Sequence, residues 1–127
     1  MFLLDTGIVL GFQKSGHLDV MTEASSRIPL ALVEADLGEA ASIALAAHDP
    51  SMTFVTNDGA ASLRGLQELR GRTMSFHPLL AILVEKGGIA PAKASALAKA
   101  VQDLRDWRAT HPHWWDAWCA GQTGTSP

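Results

Sequence analysis

Apolar and polar positions in the first half of the chain alternate between strand-like runs and helical spacing. Residues 2–5 and 52–56 are short apolar runs of strand type, and residues 72–76 form another. Residues 28–33 are equally apolar but contain Pro29, which has no amide hydrogen for a sheet ladder, so a strand there starts at or just after the proline. Between these runs, residues 8–14 read as a helix closing at Ser15-Gly16, and residues 18–24 as another. Gly38-Glu39-Ala40 opens a helix to about Ala47, with Ile43, Ala44 and Ala47 on one face, and Asp49-Pro50 ends it. A further helix over residues 60–69 puts Leu63, Leu66 and Leu69 on one side.

The second half reads as mostly helical. Residues 78–86 run into Gly87-Gly88, a helix-terminating pair, and Pro91 falls where a first helical residue belongs. From there Ala94, Leu97, Val101, Leu104 and Trp107 or Arg108 recur at helical spacing. Short strands separated by helices predict an α/β domain with a mostly parallel sheet. Residues 1–120 make one domain, and the composition of residues 121–127 suggests a disordered tail.

The stretch Phe54-Val55-Thr56-Asn57-Asp58-Gly59 has two local readings. Asn-Asp-Gly after a β-forming run suits a tight hairpin. The following Ala60-Ala61-Ser62-Leu63-Arg64 is helix-forming instead, which favours strand, turn, helix. Asp58 then falls at the carboxyl end of a parallel strand, where ligands bind in open α/β sheets. Phe2-Leu3-Leu4-Asp5-Thr6-Gly7 ends the same way. If the two strands are neighbours, Asp5 and Asp58 emerge at one edge, and close carboxylates are tolerated when a divalent cation lies between them. Glu39, on the first turn of its helix, is the natural third ligand. Taken singly, each aspartate is better explained as a helix N-cap.

Charge adds a modest point. The net charge of −3 argues against a protein that holds nucleic acid mainly through a positive surface. Residues 1–58 nevertheless carry eight acids against Lys14 and Arg27, whereas residues 59–127 carry eight Lys and Arg against five acids. An acidic half beside a basic half suits a metal site next to a phosphate-contacting surface, and it equally suits ordinary unevenness. Arg64, Arg70 and Arg72 are the candidate phosphate contacts, against a plain reading as a solvated face. Cys119 is the only cysteine, so no internal disulfide forms. The apolar opening lacks a basic leader and contains Asp5, which argues against a signal peptide. No apolar run approaches a membrane span, and a cytoplasmic location is expected.

Together, FLLDTGIVLGFQKSGHLDVM, LGEAASIALAAHDPSMTFVTNDGAA and GRTMSFHPLLAILVEKGGI resemble the PIN-like family. The first resembles its Asp-Thr-Ser/Gly start, the second its Gly-Glu-Ala helix and Thr-x-Asp strand end, and the third its next strand and helix. The likeness covers about residues 1–105. It implies a three-layer α/β/α domain with a helical C-terminal half, acting as a metal-dependent ribonuclease. On this resemblance Asp5, Glu39 and Asp58 match the acidic positions that hold Mg²⁺ or Mn²⁺, and Thr56 matches a supporting hydroxyl. Thr6 and Asn57 would orient the carboxylates. The implied partners are single-stranded RNA, an antitoxin protein if the chain is a toxin, and a second copy in a homodimer.

The chain departs from the family pattern in one respect. Only 34 positions separate Asp5 from Glu39 (39 − 5), and the helical segment that carries a further glutamate in the family is shortened. Glu34 and Asp36 do not match that acid cleanly. A degenerate member acting as a binding or regulatory module is therefore the alternative.

Other resemblances fit less well. The Asp-Thr-Gly signature of aspartic proteases belongs to a nearly all-β fold with substantial strand before the motif, whereas four residues precede Asp5 here. A phosphoacceptor receiver domain needs an N-terminal acidic pair and a late strand-end lysine, and Lys86, Lys93 and Lys99 lie in predicted helices or helix ends. His111, His113, Asp116 and Cys119 fit no standard zinc spacing. Trp114, Trp115 and Trp118 beside them suit packing of the last helix or a homodimer contact better than base stacking.

Overall fold

The structure is a computed structural model that describes residues 2–28, 30–32, 46–57, 69, 72–104, 107 and 111–123. The elements, in chain order, are β1 (Phe2–Leu4), α1 (Thr6–Lys14), α2 (Leu18–Ser25), β2 (Leu30–Leu32), β3 (Thr53–Val55), β4 (Thr73–Met74), α3 (Phe76–Glu85), α4 (Pro91–Val101) and α5 (Trp115–Thr123). The strands form one sheet in the order β2-β1-β3-β4. Every pairing is parallel, with Leu4 opposite Leu32 on one side and Val55 on the other, and Val55 opposite Met74. The chain is thus a small α/β protein, as the alternation of periods predicts.

Successive strand residues point to opposite faces, and the burial follows this rule. Leu4 and Val55 enter the main core with Ile8 and Phe12 of α1, Val20 and Ala24 of α2, and Leu79, Leu80 and Leu83 of α3. Leu97, Ala98 and Val101 of α4 and Trp115 of α5 complete it. Leu3 and Phe54, from the same two strands, face a second cluster with Ala46, Met52 and Leu69. Such burial on both faces is what parallel strands require, and it explains why these strands read as continuous apolar runs.

Several predicted boundaries move. β2 starts at Leu30, directly after Pro29. α3 starts at Phe76, two residues before Pro78, and stops at Glu85. Its end is a Schellman turn: the Gly88 amide donates to the Leu83 carbonyl at 2.8 Å and the Gly87 amide to Val84 at 3.0 Å. Gly87 sits at φ +75°, a conformation that costs a residue with a Cβ but not glycine. α4 has Pro91 in its first turn but ends at Val101, although the apolar spacing continues to Leu104 and Trp107. Those two side chains still pack on the core, from chain that has left the helix. α5 extends through Gly121 to Thr123, into the segment whose composition suggested a tail. Residues 46–48 are helical, but most of the predicted helices over residues 38–47 and 60–69 lie outside the described residues.

Among the described residues no helix is long and apolar enough to cross a membrane.

Candidate functional site

β1 lies between β2 and β3, so the chain leaves β1 to one side, reaches β2, and returns past β1 to build β3. In an open parallel sheet this reversal leaves a crevice at the carboxyl ends of the two strands, where ligands bind. Asp5 follows β1 and Thr56 follows β3, one on each side of that crevice. The Asp5 amide donates to the Val55 carbonyl at 3.0 Å, and the Thr56 amide to Met74 at 2.9 Å, so the ladder geometry continues through both residues.

The two side chains meet. The Thr56 hydroxyl donates to Oδ2 of Asp5 at 2.8 Å across 51 positions of sequence. Thr56 is 1% exposed, whereas Asp5 is only partly buried. A hydroxyl is both donor and acceptor, and here its proton is committed to the carboxylate, which restrains the carboxylate's rotation. The Asp5 carbonyl also accepts the Ile8 and Val9 amides at 3.0 and 3.2 Å, which places Asp5 at the N-terminal boundary of α1. The cap position and the crevice position are therefore one position, and the positive end of α1 favours a carboxylate there.

Asn57 works one step further out. Its Oδ1 accepts the Phe76 amide at 3.1 Å. Ser75, the residue before α3, makes no side-chain cap bond, so Asn57 supplies from β3 the acceptor that the helix start lacks locally. This ties the carboxyl edge of β3 to the N-terminus of α3. The side-chain oxygen of Asn57 is thus spent on a helix end.

Of the three candidate acids, only Asp5 belongs to the described residues. Glu39 and Asp58 lie outside them, as do Arg64 and Arg70, and the side chain of Thr6 is likewise not described. Among the described residues no three His, Cys, Asp or Glu side chains gather into a metal-binding group. The donors that are described, a carboxylate and a hydroxyl, are oxygen ligands of the kind that hard divalent cations prefer. In sequence, Asp58 follows Asn57 directly, close behind Thr56.

Arg72 has a different task from the phosphate contact considered for it. Its Nη1 donates to the carbonyls of Ala46, Asp49 and Met52 at 3.1, 2.8 and 2.6 Å. The guanidinium thereby ties the end of the 46–48 helix to the turn that leads into β3, as a further donor to the Ala46 and Asp49 carbonyls, which also accept the Asp49 and Met52 amides. His77 drew no attention in the sequence, yet it is 2% exposed. Burial, with the neighbouring His111 adding to it, holds its pKa down at about 4. The signal available was its place within the apolar run Phe76-His77-Pro78-Leu79-Leu80, which forces a polar ring inward.

No protein-family model, characterised protein or solved structure matches the chain. The molecule is therefore defined by its own geometry: a small parallel α/β protein with an aspartate and a threonine joined across the switch point of its sheet.

Proposed function

We propose that the chain is a PIN-like, metal-dependent ribonuclease whose site lies at the β1/β3 switch point, with Asp5, Glu39 and Asp58 as the ligands of Mg²⁺ or Mn²⁺. The observation that carries this reading is the 2.8 Å hydrogen bond from Thr56 to Asp5 at the carboxyl edge. It orients one carboxylate at the place where the fold class binds ligands. Apolar clusters on both faces of the sheet support a three-layer arrangement of the PIN-like kind. A cation bound there supplies activation of a water for attack on a phosphodiester and neutralisation of charge on the leaving oxygen. Asp5 contributes its carboxylate at the end of a buried strand, so its position is set by the sheet rather than by a loop. Thr56 holds that carboxylate in one rotamer, and Asn57 keeps the edge in register with α3.

The test has two arms. Calorimetric titration of the full chain with Mn²⁺ should give saturable binding that is lost in Asp5→Ala and Asp58→Ala. Single-stranded RNA incubated with protein and Mn²⁺ should be cut, with cleavage abolished by the same substitutions. Absence of Mn²⁺ binding in a folded protein would overturn the reading. Metal binding without cleavage would favour the binding or regulatory module that the shortened segment before Glu39 suggests. A toxin role is the narrower form of the proposal, and it requires that expression arrest growth and that an antitoxin relieve the arrest.

A further inference from the structure

A second set of polar groups lies where α3, α4 and α5 meet. The His77 ring packs edge-to-face on Phe76, His111 and Trp115, with centroids 5.8, 4.9 and 4.9 Å away. Its Nε2 is fully buried and has no hydrogen-bond partner among the described residues. His111 sets its Nε2 3.1 Å from the Ala98 carbonyl of α4. A carbonyl can only accept, so that nitrogen carries the proton and the tautomer of His111 is fixed. Trp115, 2% exposed, continues the stack onto Trp118 at 5.0 Å and 24°. One imidazole from α3, one from the segment before α5 and the first residue of α5 thus form a single contact, buried at His77 and Trp115 and partly buried at His111.

We propose that His77, His111 and Trp115 form a proton-sensitive latch that holds α5 against the body of the protein and opens when His77 is protonated.

The reason lies in what surrounds the ring. A neutral imidazole is accepted among aromatic edges, and its orphaned nitrogen is a tolerable loss. An imidazolium in the same place gains a charge and a second N–H, and among the described residues neither a counter-ion nor an acceptor for Nε2 faces it, both of which lacks are costly in a buried site. Among the described residues, the charged and titratable side chains on the elements around it are Glu85 of α3, Lys86 after it, Lys93 and Lys99 of α4, Asp103 after α4, and His113 and Asp116 at α5, and all of these are exposed. Cys119 of α5 is half-buried. The group whose charge acts on His77 is His111, which opposes protonation. Relief therefore requires water to reach the ring, and α5 is the cover that must move, since α3 is anchored to β3 through Asn57 and Phe76. Opening would bare Trp115 and the α4 face beneath it, exposing an apolar surface only under acidic conditions. The inference is independent of any chemistry at the sheet edge.

Amide hydrogen exchange of the full chain between pH 7 and 3.5, corrected for intrinsic rates, tests it. Protection of α5 should fall about tenfold or more as pH drops from 6.5 to 4, with α1 and α3 remaining better protected than α5 throughout. In His77→Leu, which keeps an apolar side chain and removes the proton site, α5 should stay protected through the same range. Equal opening free energies for α5, α1 and α3 across the range, or an unchanged loss in His77→Leu, would overturn the latch. Should His77→Leu fail to fold, the ring resonances of His77 in the wild-type chain decide: a midpoint coincident with α5 opening supports the proposal, and a separate midpoint overturns it.

Discussion

The most informative single contact is the one between Thr56 and Asp5, because it divides what a side chain does for stability from what it does for the site. Thr56 is buried at a strand end, a setting where a β-branched residue is at home and where valine has nearly the same shape. Thr56→Val would therefore keep the packing, lose one hydrogen bond to a charged group, and cost about 1.5–3 kcal/mol. Under the proposed function its larger effect should fall on the site, where loss of an orienting partner would reduce metal affinity or activity by about 10–100-fold. Thr56→Ser keeps the hydroxyl and should retain most of the affinity. Parallel urea denaturation and Mn²⁺ titration of the two variants separate these effects. If Thr56→Ser weakens Mn²⁺ binding as much as Thr56→Val does, hydroxyl orientation is not what matters there. Arg72 offers a contrast at the same scale. Three carbonyls share one guanidinium nitrogen, so Arg72→Met should destabilise by about 1–3 kcal/mol, read as a lower urea midpoint, and leave any metal affinity unchanged.

At the level of elements, the helix boundaries show what local sequence can and cannot specify. The end of α3 was legible because Gly87-Gly88 is a chemical stop: the turn needs a positive φ that glycine adopts freely. The end of α4 was not, because Leu104 and Trp107 keep a helical spacing although the chain leaves the helix at Val101. The reason is tertiary. Trp107 turns its ring onto Phe76, with centroids 4.8 Å apart, and lies over Gly11 of α1. A Cβ on Gly11 would fall 2.6 Å from the edge of the indole ring, so α1 carries glycine where alanine would be the better helix former. Gly11→Ala should accordingly destabilise by about 1–3 kcal/mol despite its better propensity, since the ring must be displaced. Combined with Trp107→Leu, the same substitution should be near neutral, and a double-mutant cycle in urea measures the difference. Asp5 was legible as a strand-end acid from its apolar run alone, and the contact that gives it meaning, with Thr56, required knowing that β1 and β3 are neighbours. His77 was missed for a related reason: a lone histidine in an apolar run does not announce which aromatic rings will close around it.

For the molecule as a whole, these contacts meet in its dependence on pH. His77 is held at about 4 in the folded chain, chiefly by burial, against an ordinary value of 6.5 once unfolded. Between those values the unfolded chain binds a proton that the folded chain refuses, so stability rises with pH across that window and falls on acidification. The full effect of the displacement is on the order of 3 kcal/mol, a large share of what holds a domain of this size together. Below pH 4 both states carry the proton and His77 adds no further slope. Asp49 acts in a different window. Its carboxyl is held below the ordinary 3.8 by the Ser51 hydroxyl, which donates at 2.6 Å, and then by the Ser51 amide. That contribution is present above 3.8 and lost only as pH falls below it. Urea midpoints of the wild-type chain should thus decline from pH 6.5 to 4 and decline again at lower pH. In His77→Leu the first decline should be absent and the second retained, at unchanged denaturant slope. A first decline that survives in His77→Leu would mean that another group, not the imidazole beneath α5, sets the acid sensitivity of the fold.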